Sequence, residues 1–318
     1  IHTAAAASSD MAIEAAAAAS SAAAAAKAAQ ELAAAVPDSD YGLPLLWELL
    51  QDEAHLPESL AVQASTVLYE LLGWQCGHVE RAEYMERCIA NLREHKSICA
   101  TLQLLRKIVS TYSSGAGRGA VGGGGQVPDS MASVVAWLAE EHALLDVFFA
   151  DLVHYKAAAS AAAVAARASG ADDDAINRSK LFGAQGHIVN IRERLQFLNT
   201  VLTMSDVGLN HEQVDALWES LVVSPTTVLE QEEAFRWLEN TCAVPESFSY
   251  ELVRYIFDVK ARDLSFVSIT LQGYRFYEYF FRYINWKEKR FEQSGTTHFS
   301  VLSLQLIGID GLWRLAWE

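Results

Sequence analysis

The 318-residue sequence predicts an all-α protein made of repeating helices. Three observations carry this. Segment after segment places apolar residues at alternating steps of three and four, the spacing of one helix face. No run alternates apolar and polar residues over several successive strands. The stretches between helical segments are short, which favours antiparallel neighbours.

Residues 1–40 are an alanine-rich low-complexity segment, with about twenty alanines in the first thirty-five positions. Alanine is the strongest helix former. Ser9 or Asp10 can cap the start of this helix and Pro37 stops it, but without a large apolar stripe it has no need to pack. Residues 41–112 form a first helical-repeat segment, LPLLWELLQ, SLAVQASTVLYELLGW, VERAEYMERCIANLRE and SICATLQLLRKIVSTY, punctuated by Pro57 and the Gly73/Gly77 pair. Residues 113–130, which contain SSGAGRGAVGGGGQV, are a glycine-rich flexible linker.

A helix resumes near Asp129 and fills most of the next segment, 131–175. Its inner face is Val134, Trp137, Leu138, Leu144, Leu145, Phe148, Leu152 and Tyr155, and it fades into an alanine tract at 157–168 that GADDD ends. Such tracts sit at loops or helix ends, where insertions are tolerated. Residues 176–318 are a second helical-repeat segment. Ile188, Ile191, Leu195, Leu198 and Leu202 make one stripe. Asn210 with Gln213 resembles a capping box ahead of Val214, Leu217, Trp218 and Leu221. Thr227 with Glu230 forms a better one, opening a helix with Phe235, Leu238 and Cys242 inward. Pro245 begins another helix, an aromatic helix runs from about Phe266 to Trp286, and a last one starts near Leu302.

VDALW at 214–218 and IDGLW at 309–313 share a pattern ninety-five residues apart, and PLLWELL at 44–50 is a third relative. Half of that interval is near the upper end of the armadillo and HEAT period. The fold expected is therefore an armadillo/HEAT-like α-solenoid with low-complexity Ala- and Gly-rich inserts, each unit burying its face on the next. A compact helical bundle is the alternative. In the solenoid reading Trp218 and Trp313 are equivalent core anchors.

The formal net charge of -16 argues against nucleic acid as partner, because that affinity comes from Lys and Arg displacing counterions. It suits proteins as partners. No window holds ~20 strongly apolar residues, so no membrane span is expected. Lys27 is the lone basic residue of the alanine-rich start, unlike the basic start of a signal peptide, which points to the cytoplasm, with the nucleus also open to the protein. Cys76, Cys88, Cys99 and Cys242 contain no CxxC pair and read as buried free thiols in a reducing compartment. The chain starts at Ile1 and stops at Glu318 inside the apolar run LWRLAWE, so it is expected to be a fragment of something longer.

No catalytic, cofactor-binding or metal-binding residue is expected. Cys76 and His78 in WQCGHVE are the nearest cysteine and histidine, but a working pair usually comes from distant sequence. His142 and His154 lack the i,i+4 spacing of a metal pair. DDD at 172–174 lacks the later ligands of a calcium loop. AVGGGGQ has no Lys-Ser/Thr to hold a phosphate. One surface stands out: YRFYEYFFRYINWKEKR, 274–290, places aromatics on nearly every helix face. Tyr274, Tyr277, Tyr279 and Trp286 are its candidate partner-binding residues. The plainer account is a helix sandwiched between two repeats, and base stacking is a third, disfavoured by the acidity.

IRERLQFLNTVL, HEQVDALWESLV, EEAFRWLEN and LQLIGIDGLWRLA resemble the region upstream of the catalytic domain in the very large ubiquitin-specific proteases of the fat-facets type. YMERCIANLREHKSICATLQLLRKIV is similar to an earlier part of that region. The resemblance covers 41–112 and 180–318 and leaves out the alanine and glycine tracts. It implies an armadillo-like scaffold belonging to a deubiquitinase, whose thiol protease domain cleaves the isopeptide bond after ubiquitin's C-terminal glycine. The family's Asn-x-Gly-x-Thr-Cys-Tyr type box and its later histidine box are not in this sequence, so no catalytic residue carries over. The function implied is a non-catalytic region that binds substrates or partners of the ubiquitin pathway, or regulates. The alternatives are a free-standing armadillo-like adaptor without a linked protease, and a hydrolase acting through Cys76.

Overall fold

The computed structural model describes residues 42–52, 56–112, 130–180, 185–244, 247–264, 269–294 and 298–317. The alanine-rich helix expected over 1–36 and the glycine-rich stretch 113–127 lie outside the described residues, as do Pro245 and Phe266. The α-helices are α1 Leu43–Leu49, α2 Glu58–Trp74, α3 His78–Glu94, α4 Ile98–Thr111, α5 Met131–His142, α6 Leu144–Ala168 and α7 Asp173–Arg178. They continue as α8 His187–Met204, α9 His211–Trp218, α10 Val228–Cys242, α11 Tyr250–Tyr255, α12 Leu271–Lys287 and α13 Ile309–Trp317. π-helical turns extend α9 over Glu219–Val223 and α11 over Ile256–Lys260.

Local chemistry fixes most of the boundaries. Asn210 and Gln213 bond reciprocally at the start of α9, as the sequence suggested. At α10 the box is half made: Thr227 Oγ1 accepts from the Glu230 amide, but the Glu230 side chain turns inward to other partners. Ser249 caps α11, and Thr270 accepts from the Gly273 amide to start α12 at Leu271. The single helix expected from Asp129 onward is two helices. Ala143 adopts the left-handed conformation, φ 50°, between α5 and α6. That strain is roughly 1–2 kcal/mol, and it is offset because the break lets Val134, Val135 and Leu138 on one side and Leu144, Leu145 and Phe148 on the other all become buried.

Two compact units divide the chain at residues 84 and 85, inside α3. In the first, α1 packs on α2, and Trp47 meets Tyr84 edge-on at 5.8 Å. Arg81 donates to the carbonyls of Leu72, Gly73 and Cys76, which the end of α2 leaves without intrahelical partners.

In the second unit α4, α8, α10 and α12 lie in a row, each packed on the next. α6 and the extended α9 back this row, and a chain of rings joins the layers: Trp218 on α9, Phe235 on α10, Phe276 and Phe280 on α12, with centroids 4.4–6.3 Å apart. Fully burying each such side chain contributes about 1.5–3 kcal/mol. α6 is long and apolar enough to cross a membrane by length and composition alone. Its Leu144, Leu145, Phe148, Phe149, Leu152 and Tyr155 are buried inside this unit, together with the charged Asp151 and Lys156.

The C-terminal region departs from the sequence reading. A two-stranded antiparallel hairpin, β1 Phe291–Ser294 and β2 His298–Val301, follows α12, and the last helix begins at Ile309, not near Leu302. The two Leu-Trp echoes are also not equivalent. Trp218 is 4% exposed, whereas Trp313 is 58% exposed. Gly311, where the first echo has Ala216, lies against Tyr277: a Cβ there would come within 1.9 Å of the tyrosine oxygen. With Gly311 facing Tyr277, Trp313 sits roughly 200° further round the helix and points away.

Candidate functional site

Two groups of charged side chains share α8 and α10 in unit two. The first group is buried. Glu230 on α10 accepts hydrogen bonds from the Lys156 ammonium on α6, the Thr226 amide at 2.6 Å and His187 Nε2 on α8 at 3.2 Å. With Nε2 donating, His187 Nδ1 is the acceptor for the Tyr155 hydroxyl at 2.8 Å. Arg194 lies 4.1 Å over the Tyr155 ring and donates Nε and Nη2 to Asp151 Oδ2 at 3.0 and 2.8 Å. The other Asp151 oxygen meets His95 Nδ1 at 3.0 Å, and His95 stacks on His154 with ring centroids 3.8 Å apart.

Burial pushes the Glu230 carboxyl upward, but the bonds from His187 and Lys156 outweigh it and hold its pKa below the usual carboxylate value. Lone pairs and protons in this knot are matched to one another and the Glu230 side chain is fully enclosed, so its role is to lock α6, α8 and α10 together.

The second group lines a cleft of about 470 Å³ between α4, α8 and α10. Arg106 comes from α4, Arg192, Gln196, Asn199 and Thr200 from α8, and Glu233, Arg236, Trp237, Asn240 and Thr241 from α10. Here the pairing is incomplete. Glu233 Oε1 is shared by Arg192 at 2.6 Å and Arg236 at 2.9 Å, and Arg106 reaches Gln196 at 2.6 Å and Glu193 at 3.3 Å. The indole nitrogen of Trp237 and the hydroxyl of Thr241 are buried with no hydrogen-bond partner among the described residues. Their residues are 8% and 0% exposed. The Trp237 ring lies edge-on against Phe248 at 5.9 Å.

The four aromatic residues singled out from the sequence lie on α12, outside the lining of this cleft, and the helix separates them. Tyr277 belongs to the core: it is 3% exposed, stacks near Phe257 at 5.0 Å, and donates its hydroxyl to the Gly308 carbonyl at 3.0 Å. Tyr274 is 39% exposed, on a different face from Tyr279 and Trp286. Tyr279, Tyr283 and Trp286 form a ladder along one side, with successive centroids 6.2 and 6.4 Å apart, and Lys287 lies over the last two rings. Burial pushes the Tyr279 hydroxyl up to about 12, with Cys242 and Glu239 of α10 and Tyr283 adding to the rise. Trp286, half exposed, is the ladder's open end.

Sequence reasoning missed the cleft. Its one visible signal was FRWLEN: Trp237 sits between the core residues Phe235 and Leu238, off their stripe, next to an arginine. Cys76, the candidate thiol, is moved away from reactivity, because burial and the Glu80 carboxylate raise its pKa and only Arg81 opposes them. All four cysteines are buried free thiols. Among the described residues, no group of three His, Cys, Asp or Glu side chains could hold a metal ion.

Residues 38–285 match the model of the UBP24/USP9X/USP9Y ARM repeat. The chain is 30% identical to "Ubiquitin carboxyl-terminal hydrolase puf" of Drosophila melanogaster over 62% of its own length and 5% of that protein. It is 23% identical to human "Ubiquitin carboxyl-terminal hydrolase 34" over 86% of its length and 7% of that protein. It is also 23% identical to "Probable ubiquitin carboxyl-terminal hydrolase FAF" of Drosophila melanogaster, over 86% and 10%. It thus spans about a tenth or less of these relatives. The match, the stacked row of helices and the all-α architecture agree, and the chain belongs to the UBP24/USP9X/USP9Y ARM repeat family, an armadillo-type α-solenoid.

Proposed function

We propose that this chain is the partner-holding region of a ubiquitin carboxyl-terminal hydrolase, a scaffold that binds protein substrates or regulators of the ubiquitin pathway while another part of the protein cleaves. The family and its hydrolase relatives supply the enzymatic setting. The observations that carry the binding role are a cleft between α4, α8 and α10 lined by three arginines and Trp237, and a separate ladder of aromatic rings on α12 that ends at the half-exposed Trp286. Aromatic and arginine side chains are the usual anchors of protein interfaces. A cytoplasmic location, extending to the nucleus, fits free thiols and this class of partner.

The test uses the native full-length protein carrying Arg192→Glu, Arg236→Glu and Trp286→Ala together. Hydrolysis of a minimal ubiquitin C-terminal amide is expected to stay at the wild-type rate. Release of ubiquitin from conjugated proteins is expected to fall about tenfold or more, the loss of one good anchor. Equal loss in both assays, or no change in either, overturns the reading. Absence of any ubiquitin-amide hydrolysis by the full-length wild type would leave the free-standing adaptor.

A further inference from the structure

We propose that the cleft between α4, α8 and α10 binds an extended peptide segment carrying an acidic side chain. This rests on the partner-holding reading and names the chemistry of what is held. The first support is the unmatched donor of Trp237. An indole N–H can only donate, and Trp237, a lining residue of the cleft, holds its own enclosed with no partner among the described residues, so a small shift of the ring would offer that donor to an acceptor from outside the fold. A main-chain carbonyl of an extended peptide supplies one. Gln196, Asn199 and Asn240 offer further donors and acceptors around the rim, the mixture an extended backbone requires.

The second support is charge. Three arginines line the cleft against one lining carboxylate, Glu233, in a chain whose net charge is -16. Glu233 already serves both Arg192 and Arg236, and Arg236 commits only Nη1 to it, so guanidinium donors remain for an incoming carboxylate. The volume fits a few residues of peptide, not a folded surface. A nucleic-acid strand is disfavoured because its continuous phosphates would meet the acidic remainder of the protein.

The probe is a short fluorescein-labelled Gly-Ser peptide with two adjacent central glutamates, titrated by anisotropy, beside its Gln-Gln isostere and a uridine oligonucleotide of equal length. The glutamate peptide is expected to bind about tenfold or more tightly than the glutamine one, the advantage of a charge-assisted bidentate bond. Arg236→Gln should remove most of that difference. Trp237→Phe keeps one aromatic ring and deletes the pyrrole portion with its donor, and should weaken both peptides by about 3–10-fold. Equal binding of the two peptides, no binding of either, tighter binding of the oligonucleotide, or an unchanged affinity in Trp237→Phe each overturn the proposal. Should Trp237→Phe fail to fold, the half-exposed Arg236 carries the test by itself. Failure here with a selective defect in the full-length triple variant sinks the peptide site alone; the converse sinks the scaffold reading alone.

Discussion

Arg194 and Arg192 stand two residues apart on α8, and Glu230 and Glu233 three apart on α10, yet each pair lives in two different regimes. Arg194 and Glu230 face inward, where partners on α6 and α8 match their hydrogen-bonding atoms. Arg192 and Glu233 face the cleft, where one Glu233 oxygen serves both Arg192 and Arg236 and the Trp237 indole N–H has no partner among the described residues. The difference teaches where to look for function in a scaffold. Matched polar groups hold the repeats in register, and the unmatched donor of Trp237 belongs to a residue that lines a cleft.

The comparison breaks most readily from the inside. Glu230→Ala strands Lys156 and His187 in a buried site and is expected to cost about 3–5 kcal/mol in urea unfolding. Glu233→Gln, at the cleft, keeps an oxygen that still accepts from both arginines and should cost less, about 1 kcal/mol. Equal costs would mean the knot is no tighter than the surface. The same group shapes acid sensitivity. Its folded pKa lies below the ordinary 4.5, so its stabilisation is fully present above that value and is lost as pH falls through the lower, folded value. Melting temperatures taken downward from pH 7 should show a wild-type advantage over Glu230→Gln that shrinks only in that acid window.

The two Leu-Trp echoes should differ in what their tryptophans contribute to stability. Trp218→Ala empties the ring cluster with Phe235 and Phe276 and should cost about 3–5 kcal/mol. Trp313→Ala should cost less than about 1 kcal/mol, since its ring is largely in solvent. Gly311→Ala belongs between them. Its new methyl must displace the Tyr277 ring or shift α13, an overpacking cost of about 1–3 kcal/mol. A neutral outcome at Gly311 would show that α13 is free to slide, and the close approach would lose its meaning.

These residues also show what the sequence made legible. Stripes such as Ile191, Leu195, Leu198 and Leu202 located α8, and the Asn210–Gln213 box located α9, because hydrophobic period and capping act over a few neighbouring residues. The inward polar set was invisible to the same rules. His187, Asn190 and Arg194 lie on the buried side of α8, yet periodicity assigns any charged residue to solvent unless its partner is known, and the partners come from α6 and α10. The break at Ala143 carries no glycine to announce it, and the echo of Trp218 at Trp313 matched letters without matching neighbours. The cleft was hidden for the same reason as the knot: Arg106, Arg192 and Arg236 each read as an ordinary wet helix face until α4, α8 and α10 bring them together.

The smallest effect on stability is the most informative about function. Arg236→Gln removes a half-exposed charge whose bond to Glu233 duplicates one from Arg192, so unfolding free energy should move by no more than about 0.5 kcal/mol. Adding salt should narrow even that difference, because exposed pairs are screened. A guanidinium kept for stability would register in the urea midpoint; one kept for a ligand would not. If the midpoint of Arg236→Gln matches the wild type while the full-length protein loses selectivity for conjugated substrates, the outer charges of α8 and α10 are held in place by the inner ones for binding. A loss of more than about 1 kcal/mol would instead make Arg236 part of the same structural lattice as Arg194, and the division between the two faces would collapse.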